Sequence, residues 1–115
     1  MTRSTDLPSG PLLYVLISLS AGDKHGHALM KDIHGFTGTR LGTGTLYGAI
    51  TRLESKGLIE RLEPDARRQP YSITQAGRQT LESSLDNLQR VIDAGITHIG
   101  GPLITTQLPI EAELA

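Results

Sequence analysis

Histidine is the residue type in this sequence best suited to chemistry, and its four copies are poorly placed for it. His25 and His27 stand two apart, which sends their rings to different faces of a helix, and neither His34 nor His98 completes a Glu-x-x-His or His-x-x-x-His pattern. The absence of cysteine removes thiolate zinc ligands, iron–sulfur clusters, disulfides and a cysteine nucleophile. No P-loop ending in Lys-Ser/Thr, no G-x-S-x-G elbow and no recognisable carboxylate pair occurs. The expectation is a non-enzyme with no catalytic residue, no metal site and no cofactor.

Cations are better placed. From Lys24 to Arg78 there are nine basic residues against five acidic ones, a balance of +4, while the flanks carry -1 and -4 and the whole chain -1. Such a local patch suits phosphate, because release of condensed counterions supplies most non-specific affinity for DNA. Two cations, Arg67 and Arg68, fall in the loop Pro64–Pro70 between the strand-like runs Leu58–Glu63 and Tyr71–Thr74. Adjacent arginines on a projecting hairpin tip can enter a narrow minor groove. Lys24 is a further candidate for a phosphate. With three Tyr, one Phe and no Trp, stacking platforms for single strands are not expected.

The elements that must position these groups follow from periodicity. Pro11 closes a polar arm over residues 1–11, and Leu12, Leu13, Val15, Leu16, Ile17 and Leu19 fill most faces of a first helix. Its apolar run is eight residues long, far short of the roughly 20 that span a membrane, so a cytoplasmic protein without membrane contact is expected. Asp23 reads as the N-cap of a second helix over about Lys24–Phe36, whose apolar positions are Ala28, Leu29, Ile33 and Phe36. After Gly42-Thr43-Gly44, a third helix repeats Leu46, Ala49, Ile50 and Leu53 and ends at Gly57.

At 100° per residue the third helix turns Gly44, Gly48, Thr51 and Ser55 outward, with Thr45 and Arg52 on one flank and Tyr47 and Glu54 on the other. A face of small residues and hydroxyls suits the major groove, where Thr43, Thr45, Thr51 and Arg52 are the candidates for base edges or phosphates. Tyr47 is either a phenol bonding a phosphate or a half-buried ring beneath the wing. Arg52 has the alternative of a surface ion pair near Glu54 or Glu60.

Thr74 is a natural N-cap for a final helix in which Leu81, Leu85, Leu88, Ile92 and Ile96 recur near a heptad seam, until Gly100-Gly101-Pro102 ends it. The expected fold is therefore mainly α with a small β-hairpin. It reads as a winged helix-turn-helix over 12–78, a dimerisation helix over 79–99 and a flexible tail over 100–115. Leu81, Leu85, Leu88 and Ile92, with Leu12 and Leu16 of the apolar first helix, are the expected homodimer contacts.

Particular strings carry a family likeness. His25-Gly26 precedes Leu29-Met30; Gly44-Thr45-Leu46-Tyr47 is followed by Arg52-Leu53-Glu54 and then Gly57-Leu58-Ile59; Arg67-Arg68 leads to Tyr71 and Ile73-Thr74-Gln75-Ala76-Gly77. On these residues the chain resembles the PadR family of bacterial transcriptional regulators over about Leu12–Gly77. The resemblance implies a dimeric, ligand- or signal-responsive protein that binds double-stranded DNA, usually as a repressor, and it favours the phosphate role for Tyr47. The chain departs from the family pattern in having Gly42-Thr43 where Ser-Pro is frequent, Gly48 where Pro is frequent, His27 in place of an aromatic, and Pro64-Asp65-Ala66 in place of a Gly-rich wing tip. Its few aromatics point to a small or aliphatic effector, if one binds. The competing reading is a winged-helix protein-interaction module that does not bind DNA.

Overall fold

The first helix, α1 (Pro11–Ser20), opens with a proline where a missing N–H costs nothing, and buries Leu13, Val15, Leu16, Ser18 and Leu19. In the computed structural model, which describes residues 7–100, α1 is the central element of the head and packs against the two helices that follow it and the middle strand. Residues 1–6 and 101–115, with most of the expected arm and tail, lie outside the described residues.

The second helix, α2 (Gly26–Thr37), starts later than its apolar period suggested. Its N-cap is His25, not Asp23: His25 has extended backbone, and its Nδ1 accepts from the Ala28 N–H at 3.4 Å. Lys24–His25 instead forms a two-residue strand, β1. Gly38 ends α2 at φ 75° and donates its N–H to the His34 carbonyl. Beyond it, α3 (Thr43–Ser55) is capped by Gly42, buries Leu46, Ala49, Ile50 and Leu53, and exits through Gly57 at φ 74°.

The hairpin strands are β2 (Ile59–Arg61) and β3 (Pro70–Ile73), antiparallel with Ile59 opposite Ile73 and Arg61 opposite Tyr71. β3 is the middle strand of three, in the order β1-β3-β2, with Lys24 opposite Tyr71 and His25 opposite Pro70. The expected two-stranded hairpin is thus a three-stranded sheet. Pro70, which has no N–H for a ladder, stands at the first residue of its strand.

The last helix, α4 (Gln75–Ile99), begins at Thr74, whose Oγ1 accepts from the Gly77 N–H at 3.0 Å and donates to the Gly57 carbonyl at 2.8 Å. A Cβ at Gly77 would stand 2.1 Å from the Leu58 carbonyl oxygen and 2.7 Å from Ile73 Cγ1, so only glycine lets α4 sit on the root of the hairpin. The chain divides into two compact units, Met1–Ser84 and Leu85–Ala115. The sequence reading drew this line between 78 and 79; the opening turns of α4 go with the head because Gly77, Leu81 and Ser84 are buried there. Among the described residues no helix is long and apolar enough to cross a membrane.

Candidate nucleic-acid interface

On the outer face of α3, a Cβ built on Gly44 or Gly48 meets nothing within 4 Å, and Thr43, Thr45, Thr51 and Ser55 are all exposed. The hydroxyls are not idle: Thr51 Oγ1 donates to the Tyr47 carbonyl and Ser55 Oγ to the Arg52 carbonyl, each at 2.9 Å. A hydroxyl that donates in this way keeps its acceptor lone pairs. The surface is narrow, polar and free of bulky projections, which a major groove requires.

The two flanks of α3 differ. On one, Glu54 holds Arg61 of β2 through Nε at 2.7 Å and Nη2 at 3.5 Å, and this hydrogen bond, ahead of the charge attraction, raises the Arg61 pKa. Arg52 therefore does not pair with Glu54, and no ion pair holds it among the described residues. It lies on the other flank, sharing a cleft of about 320 Å³ with Leu7, Leu12, Lys56 and Leu58.

Tyr47 lies on the Glu54 flank, 43% exposed, with its hydroxyl over the start of α2: a Cβ on Gly26 would be 2.0 Å from the phenol oxygen. The ring is half-buried, as one of the two sequence readings expected. A cleft of about 680 Å³ joins Tyr47 to His25, His27, Lys31, Arg67 and Arg68.

The wing tip is a two-residue turn. Asp65 N–H donates to the Arg68 carbonyl at 2.9 Å and Arg68 N–H to the Asp65 carbonyl at 2.8 Å, with Ala66 at φ 49° and Arg67 at φ 68° between them. Positive φ at both central positions is the type I′ signature, which Asn-Gly adopts readily and Ala-Arg does not. Left-handed backbone costs a residue with a Cβ about 1–2 kcal/mol, and here that conformation presents Arg67 and Arg68 to solvent. The Arg68 Nη1 donor stands 3.1 Å from His25 Nε2, at the entry of α2.

Lys24, expected as a phosphate contact, is engaged within the chain. Its ammonium donates to the Ser18 carbonyl at 2.5 Å and the Gly22 carbonyl at 3.3 Å, with Asp32 at 3.9 Å. It neutralises the C-terminal end of α1, where a cation is favoured. His27, Lys31 and His34 of α2, which were not among the residues expected to contact DNA, are exposed at helical spacing on one side of that helix.

Of the six residues expected at a homodimer seam, Leu16 and Leu81 are core residues of the single chain at 0% and 6% exposure and offer no surface. Leu12 is half-buried. Leu85, Leu88 and Ile92 are exposed in the second unit, together with Val91 and Ile99, which the seam pattern had not included. Among the described residues, no group of three or more His, Asp or Glu could hold a metal ion.

Comparison with known proteins gives concordant results. A family model described as the transcriptional regulator PadR-like family matches residues 15–83, more than half of the chain. Transcriptional regulator Rv3488 of Mycobacterium tuberculosis is 32% identical over 97 residues, 77% of this chain and 88% of that protein. An uncharacterized 37.1 kDa protein in transposon TN4556 of Streptomyces fradiae is 42% identical over 79 residues, which cover 69% of this chain and 23% of that larger protein. The chain thus spans less than a quarter of this second relative. Among solved structures, a PadR family transcription regulator from hypervirulent Clostridium difficile R20291 superposes with a TM-score of 0.70 at 25% identity, covering 79% of this chain and all of that one. A transcriptional regulator from Clostridium thermocellum gives 0.68 at 26% identity, covering 73% and 84%.

Proposed function

This chain belongs to the PadR-like family of transcriptional regulators, and on that footing we propose that it is a sequence-specific repressor acting as a homodimer on a pseudo-palindromic stretch of double-stranded DNA. One observation carries the reading: the small polar face of α3 and the paired wing-tip arginines are both exposed and unencumbered by carboxylates in the cleft between them. In this reading α3 enters the major groove with Thr43, Thr45 and Thr51 toward base edges. Tyr47 bonds a phosphate, Arg52 reaches a guanine or the far backbone, and Arg67 and Arg68 enter the neighbouring minor groove. The exposed Leu85, Leu88 and Ile92 serve the homodimer, which sets two α3 helices on half-sites about one helical turn apart, roughly 34–36 Å. Release by a small effector belongs to the proposal on family grounds.

Selecting bound duplexes from a random pool and sequencing them tests this directly. The expected product is an inverted repeat with half-sites about 10 base pairs apart. A pool that enriches no duplex even at low salt would leave the winged head as a protein-interaction module.

A further inference from the structure

A second cationic feature lies on α2, outside the wing and the outer face of α3. His27, Lys31 and His34 fall on one side of the helix, all exposed, and with Met30 and Arg40 of the following turn they line a shallow cavity of about 150 Å³. His27 and Lys31 also border the wing cleft, so the basic groups run without a break from Arg67 and Arg68, across His27 and Lys31, to His34 and Arg40. The titratable groups sharing a cavity with His27 are His25 from β1, Tyr47 from α3, Lys31 and His34 from α2, Arg40, and Arg67 and Arg68 of the wing; those sharing one with His34 are His27, Lys31 and Arg40. No carboxylate lines either cavity among the described residues. The carboxylate of α2, Asp32, is turned to α1, where it accepts from Ser18 Oγ at 2.5 Å and meets Lys24 at 3.9 Å.

We infer that this stripe is a second backbone-binding track for DNA, and that His27 and His34 engage its phosphates as imidazolium ions, so that DNA binding takes up protons. The inference rests on the DNA-binding reading above. In a helix-turn-helix the first helix of the pair crosses the sugar–phosphate backbone, which puts α2 beside the strand that α3 straddles. Imidazole is the side chain whose charge changes nearest neutral pH, and a phosphate at its edge stabilises the charged form. The complex then holds more protons than the separated partners. Affinity rises as pH falls, with each histidine adding at most about one unit of log affinity per pH unit.

The test is a binding titration of the full chain with a rhodamine-labelled mixed-sequence duplex of about 30 base pairs, three helical turns, followed by anisotropy at fixed ionic strength. Between about pH 8 and pH 6 the affinity should rise at least ten-fold. His27→Gln with His34→Gln should remove most of that rise. His27→Lys with His34→Lys should also abolish the pH dependence, while binding at pH near 8 as tightly as the unaltered chain binds near pH 6. Lys31→Gln with Arg40→Gln should lower the salt slope by about two at every pH. Binding that is present near pH 8 and does not tighten on acidification overturns proton uptake and leaves the DNA reading intact. A pH dependence that survives the Gln pair overturns the assignment to α2, and no binding at any pH overturns both readings.

Discussion

Two glycines show how the same substitution reads differently according to what the new methyl group meets. At Gly77 it meets the Leu58 carbonyl and Ile73, both fixed in the hairpin, so Gly77→Ala should cost about 1–3 kcal/mol or more as overpacking, seen as a lowered midpoint in thermal or urea unfolding. At Gly26 the nearest atoms are those at the far end of the Tyr47 side chain, a residue 43% exposed and so with room to shift. Gly26→Ala should therefore leave the midpoint within about 1 kcal/mol of the original while weakening DNA binding, and a lost midpoint with intact binding would mean that Tyr47 is a structural ring and no phosphate ligand. The wing tip offers a complementary case. Ala66→Asn places a residue tolerant of positive φ at 66 and should stabilise the head by a few tenths to about 1 kcal/mol without touching Arg67 or Arg68. At this scale the sequence was only partly legible. The outward set on α3 followed from helix geometry, but the bonds of Lys24 to carbonyls at the end of the preceding helix did not, because no spacing rule announces them.

Among elements, the wing and its middle strand make separate, measurable contributions. Replacing Arg67 and Arg68 with Ala should flatten the salt dependence of DNA binding by about one to two units, and an unchanged slope would remove the wing from the interface. Tyr71, buried at 4% exposure in β3, has a phenol whose pKa is raised above 10.0 chiefly by burial. The unfolded chain then loses this proton first as pH rises. The stability tied to the neutral phenol is complete below about pH 10 and is lost above it as pH climbs toward the folded value. Tyr71→Phe should flatten the alkaline limb of a stability–pH curve. The order of helices and hairpin was readable because each long element carries its own period. β1 was not, because two residues have no period, and its pairing with β3 is set by a chain segment some distance away. For the same reason the helix was started at Lys24, although His25 was rightly read as bonding locally at the helix start, where it is the cap.

For the whole molecule, Leu85, Leu88, Val91 and Ile92 are all exposed apolar residues of the second unit, and the proposed homodimer would cover them. Leu85→Asp with Leu88→Asp should give a monomer by sedimentation, with a folded head and DNA binding weakened by the loss of the second half-site. A wild type that is monomeric at micromolar concentration, or a double variant that stays dimeric, would move the seam elsewhere. The heptad pattern alone ran the seam back to Leu81, because periodicity reports which face is apolar and is silent on whether the chain itself covers it. The tie between Arg68 and His25 has a further consequence. A neutral imidazole has one acceptor nitrogen, yet this ring faces two donors, the Arg68 guanidinium and the Ala28 N–H. It serves one fully at the expense of the other. An arginine drawn away by a phosphate leaves the ring free to complete the end of α2, so the wing's departure is offset within the protein. Handing Arg68 to a phosphate would therefore exchange one hydrogen bond for another and leave no donor of the fold unpaired.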